Sequence, residues 1–262
     1  MAMKLLGIER EEMQVVFFDY QDAHKNLDGA WKHLFSPNHP ILRVEDLKEM
    51  AKEGEYLCFR HAIFGLIGYL GFLHMSNHHP TKADECFNSE LVQSFSNFVM
   101  STYDGVIDFP PPEKPNIVLI SRRNATRIFI NEAEIVEMLK TIKKANVKVV
   151  DLAQISFEEQ VRLMRNTSIL IGVHGAGLTN LLYLPTQALV VELSTRGNNG
   201  FLDLYFKNMA QWANKAFVTF GSFKKFGPGI RPDVNEMKAF LEPLVRMSRQ
   251  FYKNFEECGF SC

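Results

Sequence analysis

Between residues 117 and 193 short apolar runs and amphipathic segments take turns, and this alternation limits the possible folds more than any other feature of the chain. Ile117-Val118-Leu119-Ile120 has strand length, and Ile135, Met138, Leu139 and Ile142 then recur on one helical face. Asn131 is placed to cap that helix, with Glu134 three positions later. Val147-Lys148-Val149-Val150 reads as the next strand, and Ser156 with Glu159 opens a second helix striped by Phe157, Val161 and Met164. Ser168 to Val173 reads as a buried strand, a short helix follows near Leu178 to Leu182, and Ala188 to Leu193 is a further strand. Parallel neighbours need crossovers and helices supply them. The order therefore predicts right-handed βαβ units and a parallel sheet covered on both faces.

Phe109-Pro110-Pro111-Pro112-Glu113-Lys114-Pro115 can continue neither a helix nor a central strand, because proline lacks the donor and restricts the residue before it. It separates residues 1–112, a mixed α/β half with strand-like Val15-Val16-Phe17-Phe18 and a helix near Leu91 to Met100, from the alternating residues 113–224. Residues 225–262 hold a last helix, Met237 to Tyr252. A chain of 262 residues fits one or two domains and can bury a large core. Its Lys+Arg 29 against Asp+Glu 30 argues against nucleic acid as a partner, since no surplus of cations is available to neutralise phosphates.

Cys58, Cys86, Cys258 and Cys262 are too few for a disulfide scaffold and lack zinc-site spacing. Their even count permits two disulfides without showing them. The longest apolar stretch, Ala62 to Leu73, is far short of the roughly 20 residues that cross a bilayer, so no membrane span is expected. No signal-length apolar run precedes Glu9-Arg10-Glu11-Glu12, and read literally the chain is cytosolic.

On a parallel sheet, ligands gather at the carboxyl ends of the strands. The sequence puts Ser121-Arg122-Arg123, Asp151, His174-Gly175-Ala176-Gly177 and Glu192 there. Gly175 and Gly177 let backbone N–H groups approach an anion, although a tight turn needing positive φ accounts for them equally well. His174 adds a donor, or a charge when protonated, with a structural histidine as the plainer alternative. Arg122, Arg123 and Arg127 have the planar fork that suits phosphate, against the alternative of a solvated basic turn. Glu192 ends an apolar strand where a carboxylate commonly holds nucleotide ribose hydroxyls, or where a strand simply ends in charge. Asp151 and Asp203 read as surface or capping residues. His61, His74, His78 and His79 lack an HExxH or carboxylate partner pattern, and Asp19-Tyr20-Gln21-Asp22 is a loose acidic cluster, so no metal site is expected. Neither a Gly-x-Ser-x-Gly elbow nor a Walker lysine is present.

With these residues in hand, the second half resembles glycosyltransferase family 61. The matching stretches are Ile120-Ser121-Arg122-Arg123 with Asn131-Glu132, and His174-Gly175-Ala176-Gly177-Leu178-Thr179-Asn180 through Tyr183-Leu184-Pro185 to Val190-Val191-Glu192-Leu193. Asn26-Leu27-Asp28 with Trp31, and Cys58-Phe59-Arg60 before Ala62-Ile63-Phe64-Gly65, are similar to the central part of the same family. The resemblance implies an α/β fold of GT-B type, with two Rossmann-like halves and a parallel sheet in the C-terminal one. Residues 1–112 would form the acceptor side, 113–224 the nucleotide-sugar-binding domain, and 225–262 a helix packing back on the first half.

The implied activity is inverting transfer of a sugar, GlcNAc or a pentose, from a UDP-sugar to a protein or glycan hydroxyl in the endoplasmic reticulum or Golgi lumen. EGF-like domains are among the acceptors it suggests. Arg122, Arg123, Arg127, His174, Gly175, Ala176, Gly177, Thr179, Asn180 and Glu192 would bind the donor. Arg122 and the His174 turn would stabilise the departing diphosphate without a metal or other cofactor. No catalytic residue is identified, since nothing in the first half singles out a general base. A glycan on the Asn124 sequon would crowd the donor, so that sequon is expected to stay unoccupied. Family members of the lumen begin with a signal or anchor, and its absence here suggests an incomplete N-terminus. Two other readings stay open: a catalytically inactive member that binds glycans or partners, and an NAD-type dehydrogenase, whose fingerprint glycine is replaced by Asn180.

Overall fold

The computed structural model describes residues 7–18, 27–63, 89–104, 114–122, 128–193, 204–221, 223–226 and 229–257, with side chains for all of these but 225, 226 and 250–257. The chain divides into two compact units, Met1–Gly68 and Tyr69–Cys262. In the first, β1 (Val16–Phe17) pairs in parallel with β2 (Leu42–Arg43), α1 (Asp28–Phe35) connects them, and α2 (Val44–Met50) follows. Ala30 and Leu34, one turn apart, give α1 its buried face. Trp31 meets Phe17 edge-on at 5.6 Å, and the Arg43 guanidinium donates to both Asp28 oxygens at 2.9 and 2.7 Å.

The second unit is a mixed α/β layer structure, and its centre is the parallel sheet that the alternation predicts. Helix α3 (Glu90–Asp104) precedes β3 (Asn116–Ser121); α4 (Glu132–Lys140), β4 (Asn146–Asp151), α5 (Phe157–Arg165) and β5 (Ile169–Val173) follow. Next come β6 (Leu189–Leu193), α6 (Tyr205–Trp212), β7 (Ala216–Phe220), the hairpin of β8 (Phe223–Phe226) with β9 (Gly229–Pro232), and α7 (Val234–Glu257). Five strands run parallel in the order β4-β3-β5-β6-β7. Strand β7 carries no strong sequence signal: Ala216, Phe217, Val218 and Thr219 are all partly or fully exposed, as suits an edge.

Period-two alternation sends the side chains of each strand to two cores. Ile117, Leu119, Ile169, Ile171, Val191 and Leu193 face α4 and α7. On the opposite face Leu170 and Val190 are fully buried, as are Val161 and Met164 of α5 and Ala210 of α6. Helix α3 belongs to that second layer, against α5 and α6, although it precedes the proline-rich joint, most of which lies outside the described residues. Helix α7 buries Met237, Leu241 and Val245 beside Ile135 and Met138, within the second unit. Asp233 caps it, its Oδ1 accepting from the N–H groups of Asn235 and Glu236 at 3.0 and 2.9 Å.

Two local expectations change. Ser156 and Glu159 do form the reciprocal capping box of α5, but Asn131 makes no side-chain cap for α4. Its amide instead donates to Pro232 O at 3.1 Å and Glu134 Oε2 at 3.2 Å, which ties the helix start to the β9 end. The helix expected near Leu178 is a 3-10 segment, Ala176–Tyr183. Leu178 and Leu181, both fully buried, are three apart and so stack on one side of a threefold turn.

Candidate functional site

The strand order β4-β3-β5-β6-β7 reverses direction between β3 and β5, because the chain first crosses to β4 and then returns past β3. Loops leaving the two strands diverge there, and in parallel α/β sheets such a switch point is where ligands commonly bind. Arg122 directly follows β3, and His174 directly follows β5. The topology thus brings to one place two groups that lie 52 residues apart in the chain.

Gly175 joins them. Its φ of 160° is extended backbone open to any residue, so conformation does not demand a glycine. Space does: a Cβ there would stand 2.3 Å from Arg122 Nη1 and 3.2 Å from its Cζ. The guanidinium lies directly on the bare backbone of the turn. Gly177 is used differently, for close packing, since its Cβ would meet Ile120 Cγ2 at 3.3 Å and Leu152 Cδ1 at 3.4 Å. The positive-φ explanation of these glycines gives way to one of close approach.

His174 is fixed on three sides. Its Nδ1 stands 2.5 Å from Glu192 Oε1, its backbone N–H donates to Leu193 O at 3.1 Å, and the Phe206 ring meets the imidazole edge-on at 5.0 Å. In the β5–β6 register Glu192 lies opposite Gly172, and His174, two residues on, shares that face. Glu192 is 3% exposed, so this carboxylate is buried against the ring and is not open at the strand end. A carboxylate only accepts, so the imidazole donates from Nδ1. Phe206 sits in an ordinary amphipathic helix, and nothing in its sequence setting marks it as a neighbour of His174.

The other predicted residues separate. Ala176 is exposed at the rim and Thr179 is half-buried. Asn180 points into the fold, its amide donating to Gln160 Oε1 at 3.1 Å and Gly177 O at 3.2 Å, so it braces the turn. Asp151 caps a short turn, accepting from Ala153 N–H at 3.1 Å. Ser121, 3% exposed, donates to Glu132 Oε2 at 2.7 Å, which links the β3 end to α4 beside Arg122. Arg123, Arg127, Asn124, Asp203, His74, His78, His79 and the Asp19–Asp22 cluster lie outside the described residues.

Beneath the 3-10 segment, burial drives the Tyr183 phenol far above its ordinary value. It pushes Tyr103 up to about 12, with the nearby Glu158 charge adding to the effect. Both stay protonated at neutral pH and so provide no base there. Among the described residues no three His, Cys, Asp or Glu side chains stand together as a metal site, and no helix is long and apolar enough to cross a membrane.

The chain is similar to known proteins. The chain is 36% identical over 154 residues to the EGF domain-specific O-linked N-acetylglucosamine transferase of Drosophila melanogaster, covering 59% of this chain and 28% of that protein. The Gallus gallus protein of the same name is 33% identical over 155 residues, covering 58% and 29%. Protein O-linked-mannose β-1,4-N-acetylglucosaminyltransferase 2 of Canis lupus familiaris is 33% identical over 162 residues, covering 61% and 27%. The chain spans less than a third of the length of each of these relatives. The model of the family Glycosyltransferase 61 matches residues 35–191, which is more than half of the chain and takes in strands β3 to β5 with the Arg122 and His174 turns. The chain belongs to glycosyltransferase family 61.

Proposed function

We propose that the carboxyl edge of the five-stranded sheet binds the diphosphate of a UDP-sugar, and that the protein transfers the sugar, GlcNAc, to a hydroxyl of a protein or glycan. The observation that carries this reading is the seating of the Arg122 guanidinium on Gly175 beside a histidine oriented by Glu192. A fork-shaped cation, bare amides and an aligned imidazole form a donor set suited to phosphate oxygens. His174, held in place by Glu192, would meet the ligand with its imidazole. Positive charge and donors held in place before the reaction favour the state in which charge builds on the departing diphosphate. Arg122 and His174 act here on the leaving group; the base that activates the acceptor is assigned to no residue. Arg123 and Arg127, which follow in the sequence, would add further cationic contacts.

The family points to a GT-B arrangement in which the first unit presents the acceptor, to an inverting reaction without a metal, and to the endoplasmic reticulum or Golgi lumen. The names of the Drosophila and chicken relatives make EGF-like domains the acceptor to try first. A thermal-shift panel of UDP, UDP-GlcNAc, UDP-xylose, GDP-mannose and NAD tests the donor, since a ligand stabilises the folded state according to its occupancy. UDP and UDP-GlcNAc should raise Tm most, and NAD should not. Arg122→Ala and His174→Ala should each weaken UDP at least tenfold while the unliganded Tm stays within a few degrees. Unchanged UDP affinity in both variants would remove the proposed site.

A further inference from the structure

We propose that the amino-terminal edge of the same sheet carries a second anion site, a hollow between α3 and the starts of β6 and β7 that takes a small phosphate-type oxyanion. The hollow has a volume of about 250 Å³, room for roughly eight waters at ~30 Å³ each. It lies a strand length from the His174 crevice, about 16 Å for five residues at ~3.3 Å each. Lys215 enters from the turn between α6 and β7, where Asn214 adopts φ 54° and the Lys215 N–H donates to Ala210 O at 2.8 Å. This helix-ending turn fixes where the lysine departs from the backbone. Arg165, 2% exposed, closes the opposite side from the last turn of α5.

The charge balance points to an anion. Among the described residues lining the hollow, Arg165 and Lys215 are the charged ones, and none is a carboxylate. The remaining polar lining, Gln93, Ser96 and Asn97 of α3 with Thr186, Gln187 and Asn214, is uncharged. Gln93 Nε2 is buried without a hydrogen-bond partner, a donor that an oxyanion would satisfy. Burial alone lowers the Lys215 ammonium to about 8, as expected of a cation with no opposing charge close enough to offset its desolvation. An oxyanion between Lys215, Arg165 and Gln93 supplies that missing charge.

Titration calorimetry of the full chain with inorganic phosphate, at ionic strength held constant with sodium chloride, tests the site. Arg122→Ala, which disables the site at the other edge, should still show saturable binding, and that binding then belongs to this hollow. Lys215→Gln should weaken phosphate at least tenfold, and Gln93→Leu severalfold. Raising the pH from 7 to 9 deprotonates Lys215 while phosphate only gains negative charge, so a fall in wild-type affinity of about tenfold would report the lysine. No saturable binding by wild type, equal binding by Lys215→Gln and Gln93→Leu, or binding lost with Arg122→Ala and kept with Lys215→Gln would each overturn the proposal.

Discussion

The two ends of the parallel sheet are built on different principles. At the carboxyl end the polar groups hold one another: Glu192 bonds His174, Ser121 bonds Glu132, and Arg122 rests on Gly175. At the amino end Lys215 and Arg165 face a hollow whose described lining has no carboxylate. A crevice whose groups are already aligned suits recognition of a transition state, where reorganisation costs rate. A hollow lined by cations and without a carboxylate among its described residues suits simple capture of an ion.

Substitutions at each end sharpen or break this contrast. Gly175→Ala should have the largest effect, because its methyl displaces the Arg122 guanidinium, the movable end of a flexible side chain. UDP affinity should fall tenfold to a hundredfold, in line with the ~1.5–3 kcal/mol of a charged hydrogen bond, with little change in Tm. Gly29→Ala is the control, since no atom lies within 4 Å of its added Cβ and the residue is helical. It should leave UDP affinity alone and stabilise by up to about 1 kcal/mol. Equal UDP affinity in the two variants would mean that the Arg122–Gly175 contact does not serve binding.

Glu192→Gln keeps the shape of the buried side chain and replaces its charged acceptor with a neutral amide facing His174. Urea unfolding should show a loss of about 1–3 kcal/mol, with UDP binding weakened in parallel. Stability lost without any change in UDP binding would make the pair purely structural. Ser156→Ala removes one half of the capping box that starts α5, and should cost about 1 kcal/mol without touching either ligand.

The last contrast concerns Lys215. Its folded value of about 8 lies below its ordinary 10.5, so between those limits the unfolded chain binds more protons than the folded one. In phosphate-free buffer stability should therefore gain a contribution as pH rises from about 8 to 10.5. Lys215→Met should flatten that rise and be more stable than wild type at pH 7. A wild-type curve with the same slope as the Met variant would place Lys215 in water and remove the contrast between the edges.

The sheet was legible because burial on two faces forces strands to be continuously apolar. Ile117 to Ile120, Ser168 to Val173 and Ala188 to Leu193 show this, and β3, β5 and β6 follow them. The edge strand β7 escaped the same test because Ala216 and Thr219 face solvent. Arg122, His174 and the glycine turn were legible as polar groups after apolar runs. Their relation was not, since period and spacing carry no information about which two loops meet at a switch point.

The amino-acid order by itself determined the alternation of strand and helix, the apolar stripes that cover the sheet, and which residue types stand at the strand ends. All of these follow from local periodicity and side-chain chemistry. Only the tertiary structure decided that Glu192 orients His174, that Gly175 is small for the sake of Arg122, and that Lys215 shares a hollow with Arg165 and Gln93. Each of these depends on two segments far apart in sequence approaching within a few ångströms, and it is the packing of the whole sheet that sets such distances.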